Sequence, residues 1–192
     1  MRYVERGGLH FRVCDPSWVD PLDTSFARQH GGRWNPAGSF GVLYLCATIS
    51  VAAGNARRAY EGEIATLFDL LPEQRPDLQI VTVTPIPVID AVSDAGLQAL
   101  RLPRTYPIGA SWRTCQAIGK RAYARGLNGI VCRSADATGR AKVASDGEEL
   151  VVFDRAVRAV RRLDRVPFAQ WYPLEVDGTP EWGKRRLKNR GQ

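Results

Sequence analysis

Apolar residues in this chain fall in short runs, some on the two-residue beat of a strand and some on the longer beat of a helix. Leu9-His10-Phe11-Arg12-Val13-Cys14 alternates and predicts a short strand. Gly41 to Cys46 is almost continuously apolar, as a central strand is. A helix follows over about 51–60, with Thr48 or Ser50 as its cap and small residues Ala52, Ala53, Gly54 and Ala56 allowing close contact. Residues 63–71 extend it or form another short helix, until Pro72 to Pro76 break the pattern. Asp77 to Val83 reads as a strand, and Pro85 and Pro87 turn its continuation into an edge or an exit. Ser93 or Asp94 caps a short helix ending near Leu100. After a loop over 103–111 comes the strongest helix, Trp112 to Arg125, with a stripe of Cys115, Ile118 and Ala122 and with Gly126 in the C′ place. Three strands are expected at 129–132, 149–153 and 156–163. Between Cys14 and Gly31 lies an irregular connection, at a length where loops are more often functional. Interleaved short strands and few helices predict an α+β fold: one compact domain with short mixed or antiparallel sheets.

Length and charge refine this outline. A chain of 192 residues suits one domain, read as residues 1–165, followed by a basic, partly flexible C-terminal extension over 166–192. The net charge of +7 is concentrated there: residues 155–192 hold ten Lys or Arg and four Asp or Glu, while residues 1–154 are nearly neutral. That asymmetry argues against a uniformly basic nucleic-acid binder. The run Lys184-Arg185-Arg186-Leu187-Lys188-Asn189-Arg190 reads first as a solvated terminus. Four cysteines show no C-x-x-C pair, and His10 and His30 have no ligand spacing to them, so no metal site is expected. No stretch nears about 18 consecutive apolar residues, and the N-terminal stretch lacks the apolar core of a signal peptide. A cytoplasmic location is expected.

The candidate chemistry gathers around Gly31-Gly32-Arg33-Trp34-Asn35. Glycines let backbone approach a ligand, arginine grips phosphate or carboxylate, and Tyr44 offers a flat ring on the next strand. Each also has a plain reading: a surface arginine in a glycine turn, and a core tyrosine. Ser134, ending a strand in Cys132-Arg133-Ser134-Ala135, could donate to a substrate or cap a turn. The chain has no G-x-S-x-G, no G-x-x-x-x-G-K-[ST] and no G-x-G-x-x-G. Glu61, Glu63, Glu148 and Glu149 read individually as solvated charges.

Taken together, the motifs resemble the RES domain, a family named for its arginine, glutamate and serine. The matching pieces are Phe11-Arg12-Val13, Gly32-Arg33-Trp34-Asn35 with Gly38, Leu43-Tyr44-Leu45, the helix at 51–60, Gly129-Ile130-Val131 leading to Arg133-Ser134-Ala135, and Glu149 to Phe153. They cover roughly residues 9–154. The resemblance implies an ADP-ribosyltransferase-like fold. It implies a toxin that consumes NAD+, by phosphorolysis or hydrolysis of the nicotinamide–ribose bond, or that ADP-ribosylates a protein. NAD+ would be substrate rather than cofactor, with inorganic phosphate as an allowed co-substrate. The implied partner is an Xre-like antitoxin, with nucleic acid reached only through it and no membrane; a homo-oligomer is compatible with the chain. By the same resemblance Arg33, Tyr44, Ser134 and position 55 form the catalytic set. Arg33 would hold the pyrophosphate, Tyr44 would pack on nicotinamide or its ribose, and Ser134 would hydrogen-bond the substrate. Arg12, Gly32, Trp34 and Arg133 would complete substrate binding, Arg12 as a second phosphate contact.

The chain departs from the family at one place. The family's glutamate lies eleven residues after the tyrosine, and here that residue is Asn55. Breaking the nicotinamide–ribose bond develops positive charge on the sugar, which a carboxylate stabilises. Asparagine supplies no full charge, and losing one well-placed electrostatic contact costs about 10²–10³ in rate. Two expectations follow. Either a carboxylate arrives from elsewhere, with Glu61 or Glu148 as candidates, or the domain binds a nucleotide with little turnover.

Overall fold

The computed structural model describes residues 1–135 and 147–172. Six strands form one mixed sheet: β1 (Tyr3–Cys14), β2 (Val42–Cys46), β3 (Asp77–Ala91), β4 (Gly129–Arg133), β5 (Glu148–Phe153) and β6 (Val160–Val166). Their order is β1-β2-β5-β4-β3-β6, and β1 also pairs with β3. The first five strands therefore join edge to edge into a ring, with β6 added on the outer side of β3. Only β3 and β4 run parallel among these pairs; the others are antiparallel. The expected mixed α+β domain is present, as a single six-stranded sheet rather than several short ones.

The prolines of β3 do not end it. β3 continues through Pro85 and Pro87, pairing first with β6 and the second half of β1, then with β4 and the first half of β1. Proline removes a ladder donor, so it needs a bulge or an open edge. The partner provides the bulge: the β1–β3 register shifts between Arg6 and Gly8. At Gly7 a Cβ would stand 2.8 Å from the Pro85 backbone, so only glycine lets the strands cross this point. Both prolines face solvent.

Helices cover the two faces where they position the site. Between β1 and β2, α1 (Ser25–His30) occupies part of the connection expected to be irregular. α2 (Ile49–Arg58) starts where the Thr48 side chain accepts from the Val51 N–H, and its small residues lie against β1 and β2. α3 (Asp94–Leu100) and α4 (Trp112–Ala124) begin at Ser93 and Ser111, whose hydroxyls accept from Gly96 and Thr114 N–H groups. Gly126 has φ +77°, the left-handed conformation expected of it. Cys115, Ile118 and Ala122 of α4 pack with Trp34, Val42, Ile130, Cys132, Val151 and Phe153, and Tyr44 borders this cluster. Leu43, Leu45, Val131, Leu150 and Val152 share the other face with Val81, Val83 and Val88.

Two elements differ from the sequence pattern. Residues 63–71 are turns rather than helix. The last strand starts at Val160, because Asp154 opens a 3-10 segment, Asp154–Ala159. Its carboxylate accepts from the Gly41 N–H, the Tyr123 hydroxyl and Arg28, which holds the chain back from pairing there. Folded chain continues past residue 165: Phe168 and Trp171 of α5 (Phe168–Trp171), with Tyr172, are buried against α2 and β3 residues. Most of the basic C-terminal extension expected over 166–192 lies outside the described residues. Among the described residues, no helix is long and apolar enough to cross a membrane, no three metal-binding side chains cluster, and all four cysteines are free and buried.

Candidate active site

The site is built on the turn between α1 and β2. Gly31 has φ +74° and reverses the chain after α1. The Gly32 N–H donates to the Asn35 carbonyl, and its own carbonyl accepts from Gln116 on α4. Asn35, fully buried, ties the turn down: its amide donates to the Ala27 and Phe40 carbonyls, and its Oδ1 accepts from the Tyr44 hydroxyl. The same hydroxyl accepts from the Trp34 N–H at 3.0 Å. A Cβ on Gly32 would lie 2.5 Å from the Tyr44 oxygen, so a side chain there would displace the tyrosine. Burial pushes the Tyr44 phenol well above its ordinary pKa, against the opposing pull of the Trp34 N–H, so it stays protonated. Tyr44 is thus a pin for the turn at its hydroxyl and a cavity wall through its ring.

Beside it is a cavity of about 230 Å³ lined by Arg12, Phe26, Gly31, Tyr44, Cys46 and Asn55, among others. Arg12 is the one cation among the described residues that line it. It is 9% exposed, its Nε is buried without a hydrogen-bond partner, and no ion pair reaches it among the described residues. Burial depresses its pKa, against the opposing pull of Cys14 and Cys46 first and of Asp23 and Asp20 after them. The Trp18 ring, 5.5 Å from the guanidinium carbon, is its one close favourable neighbour. Trp18 is held by Arg165, which donates to the Trp18, Asp15 and Pro16 carbonyls and pairs with Asp77 at 2.7 Å. A buried guanidinium facing a cavity without an acid beside it is suited to an anionic ligand.

Arg33 follows Gly32 in the turn, and its charge reaches Tyr44. It is half-buried, close enough to the Cys115 thiol to hydrogen-bond it, and its charge is felt at Tyr44, Tyr106 and Cys132. It forms no ion pair among the described residues.

A carboxylate is present, contributed by β5. Glu149 Oε1 accepts from the Asn55 amide at 3.0 Å and from the Ser134 hydroxyl at 2.7 Å. Glu149 pairs in register with Cys46 of β2 and Cys132 of β4. Burial first, and then the Glu149 charge, push both of those thiols up. The candidates at Asn55 and Ser134 therefore meet, and a residue read from sequence as a solvated charge joins them. Strand alternation carried the signal: Glu149 is on the same face as Val151 and Phe153, which are core.

The two substitutes expected for the missing glutamate are elsewhere. Glu61 is exposed beyond α2, beside Arg58. Glu148 points to the opposite face of β5 and pairs with Arg6 at 2.9 Å. Two expected substrate contacts also have other tasks. Trp34 is 0% exposed, its indole N–H donating to the Cys132 sulfur, so it anchors the turn. Arg133 donates to the Val92 and Arg104 carbonyls and to Asp94, clasping the start of α3. Gly32 acts through its lack of a side chain.

The RES domain model matches residues 10–175. The chain belongs to the RES domain family. Curated relatives of this RES chain include "NAD(+) phosphorylase MbcT" of Mycobacterium tuberculosis and of Mycobacterium bovis, each 29% identical over 120 residues. These alignments span 62% of this chain and 64% of the relatives' length, just under two thirds. The fold is similar to a chain of the M. tuberculosis MbcT–MbcA toxin–antitoxin complex, with a TM-score of 0.72, 22% identity, and 89% and 92% of the two chains covered. In this RES domain Ser134 and Asn55 share the carboxylate of Glu149, a residue of the sheet.

Proposed function

We propose that this RES domain cleaves the nicotinamide–ribose bond of NAD+. The observation that carries the reading is a cavity lined by a buried unpaired cation, Arg12, and by Asn55, whose amide holds the Glu149 carboxylate at 3.0 Å. NAD+ offers a matching pair of charges: an anionic pyrophosphate and, as the bond breaks, a cationic ribose. The electron pair of the C1″–N1 bond leaves with nicotinamide, which departs neutral. Attack by inorganic phosphate then yields ADP-ribose-1″-phosphate; attack by water yields ADP-ribose and a proton. Phosphate as the acceptor is favoured by the similarity to curated NAD(+) phosphorylases.

In this reading Arg12 and Arg33 hold anionic oxygens, and the Tyr44 ring supports the nicotinamide end. Ser134 and Asn55 fix the carboxylate. NAD+ is a substrate, and no resident cofactor is required. ADP-ribosyl transfer to a protein would use the same bond cleavage with a side chain as acceptor. The toxin–antitoxin complex among the similar structures supports a further part of the proposal, that the chain is a toxin restrained by an Xre-like antitoxin. The test is incubation of purified protein with NAD+, with and without phosphate, while nicotinamide is quantified. Release that accelerates with phosphate supports phosphorolysis; release indifferent to phosphate supports hydrolysis. No release, and no modified protein, would sink the enzyme reading.

A further inference from the structure

We propose that Glu149 supplies, from β5, the negative charge that the family's glutamate would have placed at position 55. The inference rests on the NAD+-cleaving reading above and names the residue that makes it chemically workable. Its basis is an exchange of amide and carboxylate across one contact. Asn55 and Glu149 face each other at 3.0 Å, from α2 and β5 respectively. A site needs one carboxylate at this contact; two would repel, and two amides would leave the developing cation unopposed. Here the amide is on the helix and the acid is on the strand.

The hydrogen bonds show how the charge is presented. Asn55 and Ser134 both donate to Oε1 of Glu149. Two donors on one oxygen fix the carboxylate plane next to Asn55, which lines the cavity, and leave the other oxygen, Oε2, without a hydrogen bond among the described residues. Asn55 lines the cavity, and its amide is oriented by Glu149 and the Cys46 sulfur at 3.5 Å, so its Oδ1 is left to accept from a ribose hydroxyl. Asn55 and Ser134 are positioning residues for the carboxylate, and Glu149 is the group that opposes the positive charge.

Moving the charge tests this. Nicotinamide release is measured for wild type, Glu149→Gln, and the double variant Asn55→Glu with Glu149→Gln, each with its melting temperature as a check on folding. Glu149→Gln keeps shape and both neighbours but loses the charge. Its kcat should fall about 10²–10³-fold, with KM for NAD+ changed less than about threefold, since the loss is confined to the transition state. The double variant returns the acid to the helix, with the glutamine amide as its donor, and should recover to within about tenfold of wild type. A Glu149→Gln protein that keeps more than half of wild-type kcat overturns the inference and leaves the NAD+-cleaving function standing. So does a folded double variant no faster than Glu149→Gln. An inactive wild type overturns both.

Discussion

Replacing Arg12 with methionine should make the empty domain more stable and the enzyme worse. The guanidinium is nine-tenths buried with an unpartnered Nε. A buried donor left unsatisfied costs about 1–3 kcal/mol, and more when it is charged. The stacked Trp18 returns about 0.5–1 kcal/mol of that. Methionine keeps the length and the apolar contacts, so Arg12→Met should gain about 1–2 kcal/mol. For a domain of this size that is a rise of roughly 2–8 °C in melting temperature. Ligand binding should move the other way. A charge-assisted hydrogen bond contributes about 1.5–3 kcal/mol, so affinity for an anionic ligand should drop roughly 10- to 150-fold. The assay is thermal melting of wild type and variant across a phosphate and an ADP-ribose titration, with KM for NAD+ measured in parallel. Wild type should be stabilised by the anions, as linkage requires of anything that binds only the folded state, and the variant much less. A variant that melts lower than wild type without ligand would show that the protein itself satisfies the guanidinium. Unchanged anion stabilisation and unchanged KM would show that the cavity is no anion site.

Three further expectations follow from the same geometry. Tyr44→Phe removes the hydroxyl that accepts from Trp34 and donates to Asn35; two buried partners lose a hydrogen bond, and denaturant unfolding should show a loss of about 1–3 kcal/mol together with a lower kcat. Arg165→Ala releases the loop that seats Trp18 over Arg12, so KM for NAD+ should rise several-fold with kcat nearly constant, read by steady-state nicotinamide release. Asp90 and Asp154 both have lowered pKa values: burial raises each, but Val92, Ser93 and Arg2 outweigh it at Asp90, and Gly41, Tyr123 and Arg28 outweigh it at Asp154. A depressed folded pKa gives stability that is present above the unfolded value of about 3.9 and is lost as pH falls through the folded value. Melting temperature should therefore fall steeply below about pH 4, and less steeply in an Asp154→Asn variant, which starts lower at neutral pH.

Much of the fold was legible because local signals agreed with one another. The stripe of Cys115, Ile118 and Ala122 and the closing Gly126 marked α4 and its end. β3 was not legible past Val83, because the bulge that tolerates Pro85 belongs to a distant strand, at Gly7. The site divided along the same line. The turn residues Gly31 to Asn35 and Tyr44 form one hydrogen-bonded unit of local contacts, and their grouping was readable. Glu149 was missed because its role depends on two partners far away in sequence, Asn55 and Ser134. Trp34 and Arg133 resembled ligand contacts by their position in motifs, whereas the core at Cys132 and the carbonyls of Val92 and Arg104 use them.

The most direct test of the account is a proton NMR time course of NAD+ with the wild-type protein in phosphate buffer. The aromatic signals of glycosidically bound nicotinamide should disappear while free nicotinamide grows with a matching anomeric-proton signal from ADP-ribose-1″-phosphate. NAD+ that stays intact, under conditions where the protein is folded and its melting temperature rises with NAD+, would contradict it and leave a nucleotide-binding module.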